Sequence, residues 1–186
     1  MSQNNVIGID GKLPWHIPED REYFLNLTRG KILIIGRRTF EEENDLSHIS
    51  HVRRCIVVSK TMDPILLRDE KVTVAQSFTE ALEMACKISI LNREGGGKQN
   101  ESSDIDCWVG GGEKLYEDAL LHSSAQELHL TVVDTEIDLK PHTTFFPSFD
   151  QWKHKFREIS RHDGKDVGGD LDYKCTFHIY KRHDSQ

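Results

Sequence analysis

Asp20 is the residue whose neighbours in the sequence most invite chemistry. Pro18 sits where a first helical residue belongs, and Asp20, Phe24 and Leu27 follow at i, i+4 and i+7, on one helix face. A carboxylate therefore shares a face with apolar residues that should turn inward, and burying an unpaired carboxylate is costly enough that a chain keeps one only with a partner. Two readings stand side by side. As a first-turn acid, Asp20 complements the helix N-terminus, worth about 0.3–1 kcal/mol. Glu19 can serve that dipole from the solvent side, which leaves the inward acid suited to a flat heterocycle carrying N–H donors on adjacent atoms.

A second set of residues suits phosphate. Gly36-Arg37-Arg38-Thr39 follows an apolar run and leads into a helix expected to open at Phe40. Ser59-Lys60-Thr61 follows the next run, and Gly110-Gly111-Gly112 follows the run containing Trp108. One such turn could be a glycine bend with solvated arginines. Three turns, each after a strand of a parallel sheet, fall on one sheet edge, where backbone N–H groups and helix N-termini hold anions. The chain has no G-x-G-x-x-G fingerprint and no Walker lysine motif, which argues against a standard Rossmann dehydrogenase or a P-loop enzyme.

These turns need a sheet to position them. Ile32–Ile35, Cys55–Val58, Val72–Ala75, Cys107–Val109 and Leu128–Val133 read as strands, mostly as continuous apolar runs that fit a sheet covered on both faces. Helices are expected over Pro18–Arg29, from the capping box Ser77-Phe78-Thr79-Glu80 to about Leu91 with Ala81, Ala85 and Ile88 inward, and over Lys114–Leu121. Gly8–Lys12 reads as a turn. Trp152–Ser160 and Tyr173–Tyr180 flank the polar segment His162–Asp172 and read as a long antiparallel hairpin. Asn92–Asp106 reads as a solvated loop. The fold expected is α/β, one domain over residues 1–186, with a mainly parallel central sheet flanked by helices and an antiparallel C-terminal hairpin.

Composition narrows the function. The chain has 186 residues and a net charge of −7, which argues against a general nucleic-acid or membrane-surface binder. No apolar stretch approaches bilayer length, and the polar start carries no signal-peptide pattern. Four scattered cysteines without a C-x-x-C pair point to a reducing, cytoplasmic setting. Of ten histidines, His48 and His51 lie near Glu42 and Glu43, but the spacing reads as a solvated loop and no metal site is expected. His129 alternates within its strand, facing solvent or a hydrogen-bonding partner. No G-x-S-x-G elbow is present.

Val6-Ile7-Gly8, then Leu13-Pro14-Trp15, Asp20, Phe24 and Thr28 at their spacings resemble the signature of dihydrofolate reductase. The resemblance runs from Ser2 to about Arg182 and is densest in the first part of the chain. It implies reduction of 7,8-dihydrofolate by NADPH in a monomer, with hydride passing from nicotinamide C4 to pterin C6 and a proton reaching N5. It implies that Asp20 holds the N3 and 2-amino edge of the pterin, that Thr131 bonds both the acid and the amino group, and that Trp15 orders a water nearby. Phe24 then touches substrate, and Arg53, with Arg54 competing, pairs with the glutamyl α-carboxylate. The loop from Ile7 through Gly8 to Leu13 closes over the nicotinamide. Gly36, Arg37, Arg38, Thr39, Ser59 and Lys60 hold the pyrophosphate and 2′-phosphate. Gly111 and Gly112, joined in the family by a cis peptide, pack with Tyr116 against the nicotinamide ribose. The cationic set suits the phosphorylated dinucleotide better than NAD.

The chain also departs from that pattern. It opens where the family has a hydrophobic strand, so either a start lies upstream of Met1 or the protein is a noncatalytic pteridine- or dinucleotide-binding relative. Arg21 replaces an apolar residue, and Phe40-Glu41-Glu42-Glu43 replaces an apolar helix end, with Leu46 or Ile49 as the substitute wall. Thr143-Thr144 stands where an acid is common. The riboflavin-pathway reductase of the same fold is the other enzyme reading, although it generally lacks the Pro-Trp and acid pattern.

Overall fold

The computed structural model describes residues 1–42, 49–63, 69–94, 107–164 and 173–183. By packing, the chain divides into two compact units, Leu25–Leu115 and the pair of segments Met1–Phe24 with Tyr116–Gln186.

The Leu25–Leu115 unit is built on a four-stranded parallel sheet. Its strands are β2 (Ile32–Gly36), β3 (Arg54–Val58), β4 (Val72–Ala75) and β5 (Cys107–Val109), in the order β4-β3-β2-β5. Ile32 to Ile35 are each 0–2% exposed, the burial expected when both sheet faces are covered. Leu33, Ile35, Ile49, Val52, Cys55, Val57 and Val72 form one core, with Phe40, Met62 and Trp108 packed against it. Ile49, 1% exposed, belongs to this core. Two helices follow strands here, α2 (Arg37–Glu41) and α3 (Phe78–Glu94). The capping box is real: Glu80 N donates to Ser77 Oγ at 3.2 Å, and the Glu80 carboxylate reaches back to the amide of Gln76 at 2.7 Å.

The other unit holds two antiparallel sheets. In one, β6 (Glu127–Val133), β9 (Cys175–Arg182) and β8 (Phe156–Asp163) run in the order β6-β9-β8. In the other, β1 (Val6–Ile9) pairs with β7 (Thr143–Phe145). Trp152, buried at the end of α5 (Phe149–Trp152), packs edge-on to Phe149, Phe146, Phe156 and Tyr180, and its indole N–H donates to Pro147 O at 3.1 Å. A second cluster joins Trp15, Val133, Cys175 and Phe177. Met1 and Ser2 lie along β6: Ser2 bridges Val133 in parallel, and Val133 N donates to Met1 O at 2.8 Å. Helices α1 (Pro18–Thr28) and α4 (Glu113–Leu121) start in one unit and finish in the other. No helix among the described residues is long and apolar enough to cross a membrane.

Several expectations need correction. Val6–Ile9 is a strand, and the turn is narrower than expected: Asp10 and Gly11, at φ 49° and 78°, link Ile9 to Lys12 by two reciprocal backbone bonds of 2.9 and 3.0 Å. Asp-Gly suits this two-residue turn because both positions need positive φ. Helix α2 opens at Arg37, not Phe40, since extended Gly36 already acts as its N-cap. Helix α3 continues through Asn92 to Glu94 and stops where the glycines begin. Trp152 closes a helix instead of opening a strand, and β8 extends to Asp163. Glu43, Leu46, His48, the rest of the expected loop at 95–106 and the hairpin tip at 165–172 lie outside the described residues.

Candidate active site

The acid comes first. Pro18 and the first-turn acids Glu19 and Asp20 open α1, and the Arg21 amide donates to Ile17 O at 3.1 Å. Asp20 is half-buried, and the hydroxyl of Thr131 on β6 donates to its carboxylate. Burial pushes the Asp20 pKa above the usual carboxylate range; the Thr131 hydrogen bond and the amino-terminal charge hold it back. Trp15 is 9% exposed and lies in the same cluster as Val133 and Phe177. The unit therefore brings Asp20, Thr131 and Trp15 onto one side of the β6-β9 sheet.

Phe24 does not turn inward as its spacing implied; it is 38% exposed. Leu13 is 61% exposed in the segment after the Asp10–Gly11 turn. Ile7 packs with the cluster around Trp152, and Gly8 lies so close to β7 that an added Cβ would meet Thr144 Oγ1 at 2.6 Å. Tyr116 belongs to that cluster too, its ring 5.2 Å from Phe146.

The phosphate-type turns lie within the parallel sheet of the other unit. Gly36 pairs with Val58 and Ile34 with Val109, so the turns after β2, β3 and β5 sit at one edge of three adjacent strands, as expected. Gly36 N donates to Gly111 O at 2.7 Å, and Gly110 N donates to Ile34 O at 2.9 Å. The Gly111–Gly112 bond is cis. A Cβ at Gly36 would fall 3.6 Å from Gly111 O and Gly112 N, and one at Gly112 would fall 3.5 Å from Thr39 Oγ1. Ser59 Oγ accepts from the amides of Thr61 and Met62 at 3.2 and 2.9 Å, which leaves its hydrogen to donate. Arg37 is partly committed, to Thr61 Oγ1 at 2.7 Å and to Glu41 at 3.3 Å. Among the described residues, no hydrogen bond or ion pair holds the exposed side chains of Arg38 and Lys60. Bare backbone, a hydroxyl donor and two uncommitted cations fit a phosphate-bearing dinucleotide.

The two arginines at the start of β3 differ. Arg54 donates to the carbonyl of Glu70, whereas Arg53 is exposed and no bond holds its guanidinium among the described residues. Two polar contacts escaped the sequence reading. Thr28, buried on α1, bonds His51 Nε2 at 2.7 Å. Tyr23 bonds His129 Nδ1 at 2.6 Å, so His129 faces a hydrogen-bonding partner. The period of a strand was the available signal for this second contact, since His129 and Thr131 share a face.

The model of the dihydrofolate reductase family matches residues 1–182 of the chain. Dihydrofolate reductase of Bacillus subtilis (strain 168) is 31% identical over 186 residues, covering all of this chain and 92% of the relative. Dihydrofolate reductase of Haemophilus influenzae is 32% identical over 181 residues, covering 96% and 92%. A solved dihydrofolate reductase from Enterococcus faecalis, complexed with NADP(H) and RAB-propyl, is similar in fold, with a TM-score of 0.71 at 24% identity, covering 98% of this chain and 92% of that one. These relatives favour neither of the alternative readings. With the signature residues, the parallel sheet and a match that runs almost from end to end, the chain belongs to the dihydrofolate reductase family.

Proposed function

We propose that Asp20, Thr131 and Trp15 hold the pterin in the reaction that membership of the family gives this chain, the NADPH-dependent reduction of 7,8-dihydrofolate to 5,6,7,8-tetrahydrofolate. Thr131 occupies part of one carboxylate face of Asp20, and the remaining lone pairs accept N–H donors from the amino-bearing edge of the ring. A negative charge in a partly dry setting also favours protonation of a ring nitrogen near it, so Asp20 raises the basicity of N5 while the proton arrives through water. Trp15 excludes bulk solvent beside the acid. Arg53 meets the glutamyl α-carboxylate, and Phe24 covers the ring from its exposed position on α1. Gly36, Arg37, Arg38, Thr39, Ser59, Lys60, Gly111 and Gly112 would hold NADPH, with Ile7, Gly8, Leu13 and Tyr116 at its nicotinamide end. When bound, that cofactor supplies the hydride.

The observation that carries this reading is the hydrogen bond between the half-buried Asp20 and Thr131. We also read residues 1–186 as a single domain working as a cytoplasmic monomer; the free state of Cys55, Cys86, Cys107 and Cys175 supports a reducing compartment. The test is Asp20→Asn, followed by loss of NADPH absorbance with dihydrofolate near neutral pH. Turnover should fall by about 10²–10⁴-fold, the usual worth of a group that assists proton transfer. A variant that keeps the wild-type rate removes Asp20 from the mechanism.

A further inference from the structure

The end of α1 is bound to the turn that precedes β3. Gly30, at φ 70°, leads the chain out of the helix, and the Lys31 amide donates back to Thr28 O at 3.0 Å. Thr28 is fully buried, and its hydroxyl lies 2.7 Å from Nε2 of half-buried His51. Two backbone bonds flank that contact. Gly30 N donates to His51 O at 2.9 Å, and Arg53 N donates to Lys31 O at 2.9 Å. The β2-β3 ladder begins at the next residue, with Ile32 opposite Arg54. All of these residues belong to the Leu25–Leu115 unit.

Arg53 is thus tied by its amide one residue before the ladder, while no bond holds its exposed guanidinium among the described residues. Its neighbours are fixed in other ways. Ile49 and Val52 are buried in the core, and Arg54 donates to the Glu70 carbonyl. Where the Arg53 side chain starts therefore depends on how closely the turn follows the helix end, and the Thr28–His51 bond links the two through side chains. A hydroxyl donates or accepts, so that link forms with either imidazole tautomer. Placement matters because a guanidinium meets a carboxylate through two parallel bonds, which demand a fixed angle as well as a distance.

We propose that Thr28 and His51 are positioning residues for Arg53: their hydrogen bond sets the turn against the end of α1 so that the guanidinium meets the α-carboxylate of the substrate's glutamyl tail. They govern affinity for the tail and leave recognition of the pterin to other residues. That role rests on the assignment of Arg53 to the carboxylate made above.

The test compares 7,8-dihydrofolate with 7,8-dihydropteroate, which keeps the pterin and benzoyl groups and lacks the glutamate. Dissociation constants of both are measured by tryptophan fluorescence, and KM and kcat with dihydrofolate by NADPH absorbance. His51→Leu and Thr28→Val each remove the bond and should weaken dihydrofolate binding about three- to tenfold. KM should rise with kcat near the wild-type value, and dihydropteroate binding should stay within about twofold of wild type. His51→Gln, whose amide can bond the Thr28 hydroxyl, should keep most of the affinity. In an Arg53→Ala background, His51→Leu should change dihydrofolate binding by less than about twofold, since a positioning residue has no effect once its target is gone. Equal losses for the two ligands, no loss for either, a glutamine variant as weak as the leucine one, or a full His51→Leu loss without Arg53 would each overturn the inference. Should His51→Leu fail to fold, Thr28→Val decides by the same comparisons. Arg53→Ala alone separates the two failures. If it spares dihydrofolate binding, the assignment of Arg53 falls and this inference with it; if it weakens dihydrofolate selectively and His51→Leu does not, the inference alone is overturned.

Discussion

Arg182 closes the C-terminal end of α4, and the cost of removing it can be worked from its contacts. That helix has no basic residue in its last turn, so its final carbonyls need outside partners. The Arg182 guanidinium donates from Nη2 to Leu120 O at 3.0 Å and to His122 O at 2.7 Å, and from Nε to Ala125 O at 2.5 Å. It also lies 4.6 Å above the Phe156 ring. Burial lowers its pKa without endangering the charge of a guanidinium. A hydrogen bond to a charged group nets about 1.5–3 kcal/mol when buried, and partial exposure here brings the three together to roughly 2–4 kcal/mol. Arg182→Met keeps the stem against Phe156 and loses all three bonds. For a chain of this size, each kcal/mol shifts Tm by about 2–4 °C, so the loss should lie at about 4–16 °C. Arg182→Lys should recover less than half, because a point charge cannot reach three carbonyls held by a planar fork. The deficits should persist in high salt, since the acceptors are carbonyls and not screened surface carboxylates. Equal stability of the arginine and lysine proteins in urea and thermal unfolding, or a methionine cost under about 0.5 kcal/mol, would refute the reasoning.

Two further outcomes follow from the site. Gly8→Ala should cost about 1–3 kcal/mol of stability, because the new Cβ meets Thr144 Oγ1 at 2.6 Å while Thr144 Cβ stands at 4.0 Å. Adding Thr144→Ala should recover most of that loss in denaturant unfolding, and a double variant no better than the single one would contradict the contact. Asp20→Asn should raise Tm at neutral pH even as it removes activity. The folded-state pKa of Asp20 lies above its unfolded value, so its contribution to stability is full below about pH 4 and is lost as pH rises through the folded-state pKa. The gap between variant and wild type should therefore close on acidification, and an asparagine protein less stable than wild type at neutral pH would reverse the assigned sign.

The sequence was most readable where burial is two-sided and local. Ile32 to Ile35 form an unbroken apolar run, which admits little besides a covered strand, and all four are buried. The capping box at Ser77 was readable because both partners lie within one turn. Strand β1 was not, because its pairing with Thr143–Phe145 spans most of the chain and its closest approach rests on the missing side chain of Gly8. The end of α3 was placed too early although Gly95 marks it, since a helix normally runs up to the glycine that stops it. Asp20 was legible from spacing and its partner Thr131 only through the family resemblance, since a threonine in a strand carries no signal of its own.

The same spacing misjudged why α1 holds its place. Asp20, Phe24 and Leu27 were expected to form a buried stripe, yet in α1 only Thr28 is buried and Phe24 stays exposed. A helix with so little apolar burial gains little from the hydrophobic term, at about 25 cal/mol per Å². Its hold on β6 falls to Asp20 with Thr131, Tyr23 with His129 and the ring of Tyr23 on Phe177. An acid on the inner face is then part of the docking, and the atoms that would bind the pterin are among those that fix the helix. Substitutions at these positions should therefore move activity and helix placement together, whereas Arg182→Met, which acts on the far side of the β6-β9 sheet around Phe156, should change stability and leave dihydrofolate binding near the wild-type value.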